Sequence, residues 1–269
     1  MKSLPLSERT EMREKRYCNM KLLENVSYGL HPDQIMDIYL PENAADFPTF
    51  VYFHGGGFEI TGATKTKGEF MAAYMAERGI AVVCVEYRKY PEAAYPDFIR
   101  DCAAATAWAH KHMPEYGGSG KLFVGGSSAG GYASMMLCFD KRWLAAYKLP
   151  ADAIVGYLHD AGQPTTHFNV LRERGVDSRR VIVDDAAPLY HIGEAAEYPP
   201  MHFIVADNDI ANRYEQTMLV LGTLKHLGYD MSRVSHQVVH GKHCQYVREL
   251  DEKGESIFGR LALAFFSTL

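Results

Sequence analysis

The sequence predicts an α/β fold: a mostly parallel, eight-stranded sheet with helices on both faces. Three observations carry that expectation. Short apolar runs such as Thr49–Phe53, Ile80–Tyr87 and Leu122–Gly125 alternate with helical segments, as strands buried on both faces do. Gly126-Ser127-Ser128-Ala129-Gly130 directly follows the strand-like run Lys121–Gly125, which sets a serine on a sharp strand-to-helix turn. His54-Gly55-Gly56-Gly57 follows another buried strand and offers free backbone N–H groups.

Taken in order, the first 20 residues are charged and read as a helix, with residues 1–24 forming an N-terminal flap on a single domain. Asn25–Tyr28 and Gln34–Leu40 read as antiparallel strands, the second ended by Pro41. Thr49–Phe53 is a short buried strand, Lys67–Arg78 a helix and Ile80–Tyr87 a strand. Pro96–His112 is helical, with an alanine-rich packed side. The strand Leu122–Gly125 and the helix Ala129–Phe139 flank the serine turn. Ala153–Leu158, Met201–Ala206 and Arg233–Val239 complete the strands, with helices at Arg213–Leu227 and Glu255–Phe266. The stretch from about 160 to 197 has weak periodicity and many polar, aromatic and glycine residues. It is expected as a small cap above the strand ends, where ligands bind in such folds.

At 269 residues the chain suits one large domain. A hydrophobic content of 47% and a charged content of 23% are ordinary for a globular protein. A net charge of −5 argues against nucleic acid as a partner. No run of 18 apolar residues predicts a membrane span, and the N-terminus lacks the apolar centre of a signal peptide. Five cysteines without CxxC spacing point to a reducing, cytoplasmic setting. Apolar residues near Met12 or Leu23 suit an N-terminal segment that covers either the chain's own pocket or a neighbour's, and a homodimer stays open as a partner state.

Acyl transfer by serine needs a nucleophile, a base and an acid that orients the base, with donors for the oxyanion. Ser128 is the nucleophile candidate; Ser127, at the x position, points elsewhere. Oxyanion donors are expected from the N–H groups of Gly56, Gly57 and Ala129, with His54 bracing the loop. Asp209 is the candidate acid and Asp207 the fallback, both after the strand Met201–Ala206; the bland reading is that they only cap the next helix. His243 is the candidate base, and His240 terminates the last strand. These two histidines do not predict a metal site, because no third ligand cluster accompanies them. The order serine, aspartate, histidine is that of α/β-hydrolases.

With these residues the chain resembles the hormone-sensitive-lipase-like esterases among the α/β-hydrolases. The resemblance rests on His54–Gly57, Tyr87–Glu92 with Tyr95-Pro96, Gly126–Gly130, Ala206–Asp209 and Gly241–His243. It implies hydrolysis of carboxylic esters without a cofactor, and its spacing favours Asp209 over Asp207. Lys89-Tyr90 replaces the family's Leu-Ala, and His243-Cys244-Gln245 replaces its His-Gly-Phe. Asp185–Ile192 is similar to compact relatives of the feruloyl-esterase-like and kynurenine-formamidase-like kinds.

Substrate contacts are expected from Phe58 and Glu59 beside the oxyanion loop. His159, Gln163 and His167 are expected to join them, with Asp160, Thr165, Thr166 and Phe168 in the same cluster. So polar and aromatic a set fits a small ester better than a long-chain lipid; the bland alternative is that these groups satisfy one another inside a cap. Cys244 is expected near the pocket. Formamide hydrolysis on the same triad and a catalytically silent binding fold are the competing readings.

Overall fold

The computed structural model describes residues 20–149 and 153–269. One sheet contains β1 (Met20–Ser27), β2 (Ile35–Pro41), β3 (Phe47–Phe53), β4 (Ala81–Val85), β5 (Gly118–Ser127), β6 (Ile154–Asp160), β7 (Met201–Asn208) and β8 (Val234–Lys242). Its spatial order is β1-β2-β4-β3-β5-β6-β7-β8. β2 pairs antiparallel with both β1 and β4, and all other neighbours are parallel. The α-helices among the described residues are α1 (Glu69–Ala76), α2 (Asp97–His112), α3 (Ala129–Phe139), α4 (Arg142–Ala145), α5 (Phe168–Glu173), α6 (Arg213–His226) and α7 (Ile257–Phe266).

Alternation along the strands creates a core on each face of the sheet. Phe50 and Tyr52 of β3 pack with Met71 and Met75 of α1 and with Phe258 and Phe266 of α7. Val51 and Phe53 face the other way, into a cluster with Phe98 of α2, Met136 of α3 and Val220 of α6. Fully burying such a side chain contributes about 1.5–3 kcal/mol. This is why β3 and β4 read as unbroken apolar runs. Among the described residues no helix is long and apolar enough to cross a membrane.

Two expectations change. The first strand begins at Met20, because Met20–Leu23 pair with Ile38–Pro41. Residues 20–24 therefore belong to the sheet and not to a flap; the rest of the expected flap, and Cys18 with it, lies outside the described residues. The expected helix from Lys67 begins later, at Glu69, after a 3-10 turn over Lys65–Gly68. Gly68 is pressed so closely on the sheet that a Cβ there would stand 2.9 Å from Cys84 Sγ.

The connection between β6 and β7 carries α5 and a 3-10 turn at Pro188–His191. It is tied to the scaffold: Tyr132 Oη donates to the Ala186 carbonyl at 2.6 Å, and the Leu189 N–H to the Pro164 carbonyl at 2.9 Å. The loops after β3, β5, β7 and β8 meet at one end of the parallel sheet, where the candidate residues sit.

Candidate active site

Ser128 occupies the turn between β5 and α3 with φ 57° and ψ −113°, a conformation that side-chain-bearing residues rarely adopt. Such strain costs on the order of 1–3 kcal/mol and persists only where the surroundings enforce it. Here they do. The Ser128 N–H donates to the Asp160 carbonyl at 2.8 Å, and its own carbonyl accepts from the Tyr132 N–H at 2.9 Å. The flanking glycines are obligatory for packing. A Cβ on Gly126 would lie 2.5 Å from the Phe53 carbonyl oxygen, and one on Gly130 only 2.0 Å from it. The motif thus lets β5 and α3 press onto the end of β3 while the serine projects outward.

Asp209 follows β7 and His243 follows β8. Ser128 Oγ lies 2.8 Å from His243 Nε2, and His243 Nδ1 lies 2.6 Å from Asp209 Oδ1. The Asp209 carboxylate also accepts the N–H of Ile210 at 2.8 Å and that of Ala206 at 3.2 Å. Its side chain is 2% exposed and that of His243 is 23% exposed. Asp207 instead accepts from the Gly241 N–H and meets His240 Nδ1 at 2.8 Å. The two histidines thus engage different aspartates through Nδ1.

The His54–Gly57 loop runs beside Ser128: a Cβ on Gly55 would stand 3.1 Å from the Ser128 Cβ. The N–H groups of Gly56, Gly57 and Ala129 have no acceptor among the described residues. The Gly57 carbonyl accepts from Asn169 Nδ2. His54 is fully buried, with Nε2 3.0 Å from Glu86 and its ring stacked on Tyr87 at 4.4 Å. It braces the loop and does not face the serine. Gly56, Ser128, His243 and Cys244 line a cleft of about 330 Å³, together with Tyr52, Thr61, Lys67, Val247 and Arg248.

A family model described as an alpha/beta hydrolase fold matches residues 50–244. The chain belongs to the α/β-hydrolases. The match agrees with the resemblance carried by the motifs. Over 109 residues this α/β-hydrolase is 32% identical to a probable isoprenylcysteine alpha-carbonyl methylesterase of Arabidopsis thaliana, covering 40% of this chain and 23% of that protein. Over 216 residues it is 27% identical to lipase 2 of Moraxella sp. (strain TA144), covering 75% and 45% respectively. The chain therefore spans less than half the length of either of these curated relatives. Among solved structures, esterase B from Lactobacillus rhamnosis superposes with a TM-score of 0.72 at 20% identity, covering 97% of this chain and 92% of that one. That likeness is one of fold.

The electrostatics of this hydrolase keep Asp209 ionised. Burial opposes its charge, but the His243 contact and the two backbone N–H groups outweigh burial and hold its carboxyl below 3.8. Arg213, at the start of α6 and 5% exposed, adds positive charge behind Asp209. Burial brings its own guanidinium down to about 10. Beneath the serine, Asp160 is fully buried, and burial pushes its carboxyl up to about 6 despite the hydrogen bond from Tyr246. Tyr52 Oη donates to Ser127 Oγ at 3.0 Å in the same layer, so Ser127 supports the turn from below. Cys244 Sγ lies 3.7 Å from His243 Nε2, at the cleft wall.

Of the expected substrate contacts, all but Glu59 are buried, and none is among the residues that line the cleft at Ser128. Phe58 is 0% exposed, stacked on Phe98 at 4.0 Å and edge-on to His167 at 5.0 Å. An apolar ring gains more from that core than from a wet wall. His159 points from β6 into the core, 2.8 Å from Ser134 Oγ, and burial brings it down to about 3. Gln163 bonds Thr165 and the Thr166 carbonyl, while His167 caps α5 through the Asn169 N–H. These polar groups satisfy one another within the β6–β7 connection. Only Glu59 is half-exposed, bonded to Asn169 at 3.1 Å and Arg172 at 2.7 Å.

Sequence reasoning missed Arg213, Asn169, Lys67 and Arg248. Asn169 and Arg213 had local signals in the cap stretch and at a helix start, but charge and polarity alone do not say which side chains reach the cleft.

Proposed function

We propose that this α/β-hydrolase is a serine carboxylesterase that acts on small acyl or aryl esters through an acyl-enzyme. The observation that carries the reading is the unbroken contact chain Ser128–His243–Asp209, at 2.8 and 2.6 Å. His243 removes the Ser128 proton as the oxygen attacks the ester carbonyl, and Asp209 holds the imidazole with Nε2 towards the serine. The oxyanion is received by the N–H groups of Gly56, Gly57 and Ala129; losing one such donor typically costs about 3 kcal/mol in the transition state. His243 then protonates the leaving alcohol, and a water repeats the sequence to free the acid. A cleft of about 330 Å³ suits a small ester. The relatives reported above are named as a methylesterase, a lipase and an esterase, which favours ester over formamide bonds.

The residues from about 160 to 197 act in this reading as a small cap, supported by the Asn169 and Arg172 bonds to the loop at Gly57 and Glu59. A cytoplasmic setting is supported by the free thiols of Cys84, Cys102, Cys138 and Cys244. A homodimer through the exposed edge strand β8 is tested by light scattering.

The test of the activity is initial rates on p-nitrophenyl acetate, butyrate and octanoate and on a feruloyl ester, for wild type and Ser128→Ala. Turnover that depends on Ser128 and peaks at acetate or the aryl ester is expected. Rates rising steadily beyond about eight acyl carbons contradict the small pocket, and no Ser128-dependent turnover contradicts the esterase.

A further inference from the structure

The cleft at Ser128 is lined by two cations that have no acidic partner among the described residues. Lys67 lies in the 3-10 turn Lys65–Gly68 and Arg248 in the 3-10 turn Gln245–Arg248; these turns pack against each other and border the cavity holding Ser128 and His243. Neighbouring lysines are neutralised: Lys65 Nζ meets Asp37 at 2.6 Å and Lys89 Nζ meets Glu86 at 2.6 Å. Among the described residues neither Lys67 nor Arg248 makes an ion pair or a hydrogen bond to a carboxylate. The nearby Glu249 is engaged by Gln245 Nε2 at 2.6 Å. Lys67 is half-buried, so it is not simply a side chain on a solvated face.

Burial, and then repulsion from Arg248, lower the Lys67 amine from 10.5. Two like charges that border one small cavity repel, and an anion placed between them turns that repulsion into two charge-assisted contacts. The chain as a whole carries a net charge of −5, so a positive pair here is not a consequence of general basicity. Arg offers a planar fork and Lys a mobile point charge, a combination that suits a carboxylate or a phosphate group.

We propose that Lys67 and Arg248 form an anion subsite, and that the preferred substrate is an ester bearing a carboxylate or phosphate group away from the scissile carbonyl. This rests on the esterase reading above. It narrows the substrate class from small esters to anionic ones, and it gives the two turns a role in specificity.

The experiment compares kcat/KM for charged and neutral partners of the same shape. On the alcohol side, 4-acetoxybenzoate and 4-acetoxyphenyl phosphate are set against 4-acetoxybenzamide. On the acyl side, the umbelliferyl monoester of glutarate is set against that of glutaramic acid. Active sites are counted by fluorophosphonate labelling, so misfolded protein does not enter the ratio. Wild type should favour an anionic member by about tenfold or more, the scale of one charge-assisted contact. The carboxylate and phosphate arms show which group the site takes. Lys67→Met with Arg248→Gln should bring the ratio near one, and Lys67→Glu should reverse it. A ratio at or below one for every wild-type pair, or an unchanged ratio in the double variant, overturns the subsite and leaves the esterase reading standing. No Ser128-dependent turnover of any ester, neutral ones included, overturns both.

Discussion

The ends of β7 and β8 carry two aspartate–histidine contacts of nearly the same geometry. Asp209 meets His243 Nδ1 at 2.6 Å, and Asp207 meets His240 Nδ1 at 2.8 Å. Their surroundings differ. Asp209 is 2% exposed and His243 reaches Ser128, whereas Asp207 is 44% and His240 97% exposed, with no serine in contact among the described residues. A close carboxylate–imidazole contact is therefore not by itself a catalytic device. What distinguishes the first pair is burial, which strengthens its electrostatics, and a serine hydroxyl on the second ring nitrogen.

Mutating the two pairs in parallel should separate them widely. His243→Ala is expected to lower kcat for an aryl acetate by roughly 10⁴-fold or more, because the base is lost; His240→Ala should leave it within about twofold, as expected of an exposed group off the reaction path. Asp209→Asn should cost on the order of 10⁴ in kcat, since the imidazole tautomer is no longer held. Similar losses in His243→Ala and His240→Ala would mean that the outer pair takes part in the reaction.

A third carboxylate–histidine contact sharpens the lesson. His54 and Lys89 meet Glu86 at 3.0 and 2.6 Å in the core. Burial raises the Glu86 carboxyl, but these two partners outweigh it and hold the group at about 2, below its ordinary 4.5. The contribution to stability is therefore present above pH 4.5 and lost as pH falls towards 2. The shift corresponds to about 3 kcal/mol. Glu86→Gln should lower stability by about that amount at pH 7 and flatten the loss of denaturation midpoint in acid. A variant as stable as wild type at pH 7 would show that the buried pair contributes nothing net.

The smallest effect belongs to the outer pair. The Asp207 contact raises His240 from its ordinary 6.5. In an NMR titration Asp207→Asn should move His240 down, with activity within about twofold of wild type. An unmoved titration would show that the contact is not populated in solution.

Most of the sheet and the three residues of the contact chain Ser128–His243–Asp209 were legible in the sequence, and the reason is local. The serine turn depends on Gly126 and Gly130 within a few residues of Ser128, and Asp209 and His243 follow strands whose apolar runs are unambiguous. The pocket was not legible. Whether Phe58 faces solvent or Phe98 is decided by packing between the oxyanion loop and α2, and the face taken by His159 is decided by the register of β6. Lys67 and Arg248 come together only because two 3-10 turns distant in sequence pack against each other. The start of β1 was hidden because Met20–Ser27 is an edge strand with no clean alternation, so its partner β2 supplies the signal.

The central claim is that Ser128 is the nucleophile activated by the buried pair and not by the exposed one. The most direct test is fluorophosphonate labelling at pH 7, read by intact mass and peptide mapping, for wild type, His243→Ala and His240→Ala. The account predicts one adduct per chain, on Ser128, formed at the wild-type rate in His240→Ala and almost not at all in His243→Ala. No adduct on Ser128, an adduct on another residue, or equal labelling of the His243 variant would contradict it.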